Sequence, residues 1–428
     1  MGMKAYPSYK DSGAPWIGDV PTHWTARKIK TLFRIKKEIA GKEGYNVLSI
    51  TQQGIKIKDV ESNEGQIAQS YTNYQLLNVG EFAMNHMDLL TGWVDISPFN
   101  GVTSPDYRVF IRSEENASSK YLLYTLQTCY SRKLFYGLAQ GVSSIGRCRL
   151  QATKFKNFVF PLPPTLEEQN AIVAYLDKKC AEIDELVTRR QAIIERLKEL
   201  KQSIIADAVT KGLNPDVPMM DSGIDWLGEV PQHWEKYRTP SILKVTSKAG
   251  TDSDELLSVY LDRGVIRHSE SDGMQVHKPS KDMSSYQKVL PGNFVCNNQQ
   301  AWRGSVGVSE HEGRISPAYI IFNLSSKLVP KFANYFFRSQ AWNPSFVYSS
   351  KGVGSIQRNL YLPWLRQHYC YLPSTEEQQA IVAYLDKKCD EIDELVVRQE
   401  QIIEKLKELK TATIAHVVTG KVDVRDAI

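Results

Sequence analysis

The side chains best suited to reading the edge of a base fall in two short turns of each half of this 428-residue chain. Thr51-Gln-Gln-Gly54 and Asn85-His-Met-Asp-Leu-Leu-Thr-Gly92 in the first half stand against Leu261-Asp-Arg-Gly264 and Asn297-Asn-Gln-Gln-Ala-Trp-Arg-Gly304 in the second. An amide edge matches adenine N6 and N7, a guanidinium forks onto guanine O6 and N7, and a carboxylate accepts from cytosine N4. Gln52, Gln53, His86, Asp88, Asp262, Arg263, Asn298, Gln299, Gln300 and Arg303 are therefore candidate base-reading residues. Any one polar loop residue is more often simply solvated, so the set rests on its recurrence in matched places. A second pair of segments suits phosphate. Gly141-Val-Ser-Ser-Ile-Gly-Arg147 and Gly352-Val-Gly-Ser-Ile-Gln-Arg358 offer small residues for close approach, with hydroxyls and arginine to hold an anion. Ser143, Ser144, Arg147, Arg149, Ser355 and Arg358 are the backbone-contact candidates, and structural turns with Arg147 and Arg358 in salt bridges are an equal alternative.

These turns hang on a common skeleton. Tyr74-Gln75, Gly80, Phe82, Asn85, Gly92, Val94, Ser104-Pro105, Tyr107 and Phe110 match Tyr286-Gln287, Gly292, Phe294, Asn297, Gly304, Val306, Ser316-Pro317, Tyr319 and Phe322. Glycines, aromatics and apolar residues dominate the match, as turns and packing require. Short strand-like runs such as 46–51, 55–60 and 107–112, with 256–261 and 318–324 in the second half, predict two mixed α/β (α+β) globules. One scaffold carries two recognition surfaces.

A nearly identical segment follows each globule. Residues 167–201 and 376–410 agree at 28 of 35 positions, and Asp11–Trp24, DSGAPWIGDVPTHW, recurs as DSGIDWLGEVPQHW at Asp221–Trp234. Leu176, Ile183, Leu197 and Ile204 fall on one sevenfold register, interrupted by Arg190, with Ile172, Leu186, Ile193 and Leu200 on the interleaved positions, which predicts a coiled-coil seam. Thr165 with Glu168 forms a capping box at the start, and Gly212 with Pro215 stops the helix; Gly420 stops the second copy. A helix of about 45 residues is roughly 68 Å long. One copy alone would leave its stripe in water, so the two copies are expected to pair antiparallel, with the globules at opposite ends of a strut; pairing of each with another protein is the alternative. The expected division is a first globule over 1–160 opened by a strap at 7–24, a central helix over 161–218, a second globule over 219–370 with its strap at 221–234, and a C-terminal helix and tail over 371–428.

The net charge of +5 hides a segregation. Lys+Arg minus Asp+Glu is +7 over 1–160 (20 minus 13) and +4 over 219–370 (17 minus 13), but −2 over 161–218 (8 minus 10) and −4 over 371–428 (8 minus 12). Basic globules beside acidic helices suit a phosphate-backbone partner. No Gly-x4-Gly-Lys-Ser/Thr loop, Asp/Asn-Pro-Pro-Tyr/Phe motif or His-Glu-x-x-His is present, and Glu199-Leu-Lys201 lies on the coiled-coil helix. His23 and His233, set among Trp and Pro, read as parts of docked straps. Six singly scattered cysteines argue against a zinc site or disulfide framework, and Cys180 and Cys389 read as small core residues. With no leader pattern or long apolar run, a cytoplasmic, non-catalytic protein is expected.

Two divergent globules alternating with two near-identical helices, each helix entered through Pro-x-x-Glu-Glu-Gln (Pro164–Gln169) or its counterpart at Pro373–Gln378, and each globule opened by Trp-[Ile/Leu]-Gly-[Asp/Glu]-Val-Pro-x-His-Trp, resemble the specificity subunit of a type I restriction-modification enzyme. The resemblance covers essentially the whole chain. It implies two target-recognition domains, each reading one half of a split, asymmetric double-stranded DNA site, and helices that set the spacer and dock two methylation subunits. It also implies S-adenosylmethionine, ATP and Mg on partner subunits and none on this chain, with ATP-dependent restriction subunits completing the enzyme. A coiled-coil scaffold with two protein-binding globules is the alternative reading.

Overall fold

The computed structural model describes residues 4–60, 68–139, 149–271, 280, 282–352 and 358–427. Two compact units emerge: unit 1 comprises Met1–Arg190 with Gln401–Ile428, and unit 2 comprises Gln191–Glu400. The boundary falls inside each of the two long helices, Leu166–Lys211 and Thr375–Val418, so each unit owns one part of both.

Within each unit the helix parts run antiparallel. In unit 1, Lys410 Nζ lies 2.7 Å from both carboxylate oxygens of Asp184, while Ile172, Val173 and Leu176 share a core with Val417 and Val418. In unit 2, Lys201 Nζ lies 2.8 and 2.6 Å from Asp393, and Ile205, Ala208 and Val209 share a core with Ile381, Leu385 and Cys389. Late residues of one helix meet early residues of the other in both units. The expected seam is half right. Leu176 and Ile183 are buried, but Leu186, Ile193 and Leu200 stand 41%, 37% and 50% exposed. Cys180 and Ile194 are buried instead, and Val187 is half-buried, giving a 180–187–194 row. Both rows satisfy a sevenfold spacing, and side-chain size favoured the wrong one; the direction in which each helix meets its globule selects the other.

The helix entrances explain the Glu-Glu-Gln motif. The Thr165 hydroxyl accepts the Glu168 N–H at 3.2 Å, as a cap should, but the Glu168 carboxylate does not return to the cap. It accepts instead from Trp24 Nε1 at 2.9 Å and the Tyr6 hydroxyl at 3.0 Å and meets His23 Nε2 at 3.1 Å, tying the strap to the helix. In unit 2, Ser374 takes the capping role, and Glu377 holds Trp234 Nε1 at 3.2 Å and His233 at 3.0 Å. The next residue, a buried glutamine, is a three-way bracket. The Gln169 amide accepts the Ser118 N–H and donates to the Asn116 and Pro163 carbonyls; Gln378 accepts from Val329 and donates to Lys327 and Pro373. Buried amides so satisfied fix one geometry, because the alternative is an unpaired polar group in a core.

Each globule is built on a four-stranded antiparallel sheet. The order is Phe33–Lys36, Arg108–Arg112, Phe82–Met84, Val94–Ile96 in unit 1, and Leu243–Thr246, Tyr319–Leu324, Asn293–Asn297, Val306–Val308 in unit 2. Helices Ser119–Ser131 and Pro330–Arg338 cover these sheets with buried Tyr121, Leu122 and Leu126, and with Phe332, Phe336 and Phe337. A hairpin joins each sheet's core: Leu48–Thr51 with Gly54–Ile57, and Leu257–Tyr260 with Gly264–Arg267. Gly101 and Gly313 permit the close packing, since a Cβ there would stand 2.3 Å from the Asn46 carbonyl and 2.4 Å from the Glu255 carbonyl. Among the described residues no helix is long and apolar enough to cross a membrane.

Candidate nucleic-acid interface

The hairpin tips carry the first set of candidate readers. Gln52 and Gln53 form the two-residue turn between paired Thr51 and Gly54, whose φ of 103° is open to glycine. The Gln52 amide donates to the Thr91 carbonyl at 3.2 Å, so this turn and the 85–92 turn meet. Gln53 Oε1 accepts from Lys56 at 2.6 Å. In unit 2, Arg338 Nη2 donates to the Leu261 and Asp262 carbonyls at 3.2 and 2.6 Å, fixing the turn's backbone while the Asp262 side chain stays exposed. Arg263 lies over the Tyr260 ring at 4.9 Å and donates to the Glu270 carbonyl at 3.1 Å.

The second turn is treated differently in the two units. His86 is buried, with its Nδ1 unpartnered, and burial together with the charges of Arg108 and Arg149 pushes its pKa down to about 3. Asp88 turns inward on its own loop, accepting the Leu90 and Thr91 N–H groups at 3.0 and 2.9 Å and the Thr91 hydroxyl. His86 is the loop's buried foot, and Asp88, half-buried, clasps its own loop. In unit 2, Gln299 and Arg303 are exposed, Gln300 is half-buried, and Asn298 is tied by its carbonyl to Leu360 N–H at 2.9 Å. Ser143, Ser144, Arg147 and Ser355 lie outside the described residues. Arg149 is exposed, and Arg358 lies over the Trp302 ring at 5.0 Å.

Each unit has a cleft between these turns and the helix parts. In unit 1 it measures about 710 Å³, with Gln52, Gln53, Trp93 and Gln127 opposite Lys407 and Lys410. In unit 2 it measures about 740 Å³, with Asp262, Arg303, Gln340 and Asn343 opposite Lys198 and Lys201. The same bracket holds both walls: the Tyr124 hydroxyl donates to Asp177 at 2.7 Å and Lys120 pairs with it at 2.5 Å, and Tyr335 and Lys331 meet Asp386 at 2.8 and 2.7 Å. These cleft residues on the helices are absent from the sequence-derived candidates, although the repetition of the lysines at a constant offset of 209 was a usable signal. Among the described residues no group of three or more His, Cys, Asp or Glu is gathered for a metal.

The chain is thus a duplicated frame in which each unit has a polar, lysine-flanked cleft. Residues 21–196 match the family model of the type I restriction modification DNA specificity domain. The chain is similar to the type I restriction enzyme EcoBI specificity subunit of Escherichia coli, 23% identical over 319 residues that cover 68% of this chain and 66% of that relative's length. It also superposes, with a TM-score of 0.62 and 16% identity over 93% of this chain and 98% of the other, on a chain from a structure described as the basis of complex assembly and conformational transition in a type I restriction-modification system. Over residues 21–196 the chain thus resembles the type I specificity domain, and across nearly its whole length it shares a fold with that solved chain.

Proposed function

We propose that this chain is the sequence-reading subunit of a type I restriction-modification complex, each unit reading one half of a bipartite, asymmetric site in double-stranded DNA. The observation that carries the reading is the pair of clefts: equivalent brackets, Asp177 with Tyr124 and Asp386 with Tyr335, hold walls whose polar residues differ. Equivalent frames give two docking geometries, and unlike walls give two half-sites. The near-identical helices would set the unread spacer and dock two methylation subunits. Those subunits would carry S-adenosylmethionine and methylate a flipped adenine at N6, which this chain only places beneath them. ATP and Mg would belong to restriction subunits that complete the assembly in the cytoplasm. The chain itself supplies no reacting group in this scheme.

The test is single-molecule sequencing of adenine methylation in cells expressing this chain with a type I methylation subunit, beside a version with residues 25–160 exchanged for those of another specificity subunit. A split motif with a fixed gap, of which only one half changes on exchange, is expected. A motif that changes in both halves, or no methylation with a subunit active elsewhere, would refute independent reading.

A further inference from the structure

Unit 2 holds three cations on aromatic faces around one turn, and none of the three makes an ion pair with a carboxylate among the described residues. Arg303 and Arg358 both lie over the Trp302 ring, at 5.8 and 5.0 Å from its centroid. The indole is itself fixed, its Nε1 donating to the Gln299 carbonyl at 3.1 Å. Lys351 Nζ lies 3.6 Å from the centroid of Tyr361 and 4.5 Å from that of Trp364, two rings packed edge to face at 5.4 Å. Lys351 and Arg358 stand on either side of positions 352–357, Lys351 in and Arg358 beside the paired strands Ser350–Lys351 and Asn359–Leu360. The Leu360 N–H donates to the Asn298 carbonyl, joining those strands to the turn that carries Trp302 and Arg303. Trp364 and Tyr361 remain about two-fifths exposed.

The choice of partner matters physically. A carboxylate would hold each cation in place and cancel its charge; a ring holds it in place and leaves the charge for another anion. Fixing a lysine or arginine side chain beforehand also spares part of the rotamer entropy that binding would otherwise cost. Unit 1 is built otherwise at the matched positions, with Leu90 for Trp302, Gln151 for Tyr361 and Lys154 for Trp364. We propose that Arg303, Lys351 and Arg358, pre-set on Trp302, Tyr361 and Trp364, form a phosphate clamp that gives unit 2 a grip on the DNA backbone for which unit 1, among the described residues, has no matching aromatic support. This rests on the reading of the chain as a DNA reader and extends it to an unequal division of labour between its halves.

The experiment measures the affinity of the full-length chain for a random-sequence duplex across a KCl series. Substituting Arg303, Lys351 and Arg358 together by Ala lowers the slope of log affinity against log salt by about three, one for each phosphate no longer neutralised. Trp302→Leu, which keeps the charges and copies unit 1, and Trp364→Leu weaken binding by about two- to fivefold each at fixed salt with the slope retained. Thermal midpoints run in parallel separate a weakened grip from a failure to fold, and Lys351→Arg, which keeps the charge, restores the slope that Lys351→Ala reduces. An unchanged slope in a folded triple variant overturns the clamp while leaving the DNA reading standing. A wild-type chain that binds no duplex overturns both. Failure to capture a methylation subunit with DNA affinity intact would make the rings a protein-docking face and overturn the clamp.

Discussion

Unit 1 and unit 2 share their internal fastenings and differ where they face their clefts. Asp184 with Lys410 and Asp393 with Lys201, or Gln169 and Gln378 with their three backbone partners each, repeat almost bond for bond. The cleft walls do not repeat: amides dominate in unit 1, and Asp262, Arg303 and Asn343 stand in unit 2. Buried polar pairings admit few substitutes, because breaking one leaves an unpaired group, whereas an exposed turn residue can change at little cost to folding. A duplicated protein can therefore diverge in what it reads while retaining how it is held together.

The comparison is sharpest at the helix entrances, where the two copies are not equally buried. Glu168 accepts from the fully buried Trp24 and from Tyr6, while Glu377 has Trp234 and a half-exposed His233 and no counterpart of Tyr6. Glu168→Ala is expected to destabilise unit 1 by about 3 kcal/mol and Glu377→Ala to destabilise unit 2 by about 1 kcal/mol, read from urea melts followed by hydrogen exchange in each unit. Equal losses would show that the extra donor contributes nothing. At the clefts, Gln52→Ala should relax one position of one half-site and Asp262→Ala one position of the other, each by about 1–3 kcal/mol of discrimination, measured by methylation of a library of variant sites. A change in both half-sites from either substitution would break the one-unit, one-half correspondence.

Acid should act on unit 1 through its second turn, a place where unit 2 has no histidine, although burial also lowers the pKa of His368 elsewhere in unit 2. His86 titrates near 3 when folded against 6.5 unfolded, so between these values the unfolded chain binds more protons and stability falls as pH is lowered. The slope from this one group is at most about 1.4 kcal/mol per pH unit, and it is absent from unit 2, where Asn298 occupies the matched position. His86→Asn should flatten the pH dependence of unit 1 opening below pH 6.5; an unaltered profile would mean that the histidine is solvated. The smallest effect is expected at the exposed leucines of the helices. Leu186→Gln and Leu395→Gln, each at a leucine 41% exposed, should shift the stability of their own units by less than about 0.5 kcal/mol, whereas Ile194→Ala in the buried row should cost about 2 kcal/mol or more.

Repeats, helix limits and caps were legible in the sequence because they depend on residues close together along the chain. Pro, Gly, Thr and the apolar spacing set where Leu166–Lys211 begins and ends, and the repeated Trp-His segments announced docked straps. Glu168 reads from sequence as half of a capping box, a local solution, but its carboxylate is drawn to Tyr6, His23 and Trp24, more than a hundred residues away. The choice between two interleaved heptad rows, the burial of His86 and the inward turn of Asp88 likewise depend on what packs against them. So do the ring-held cations of unit 2, since Lys351 meets Trp364 only after the chain has turned back on itself. Sequence by itself determined the duplication, the element types and the charge segregation, all of which are sums over local properties. Tertiary structure alone decided which polar residues are used up inside the fold and which are left facing solvent, because a side chain's partners are set by distance in space.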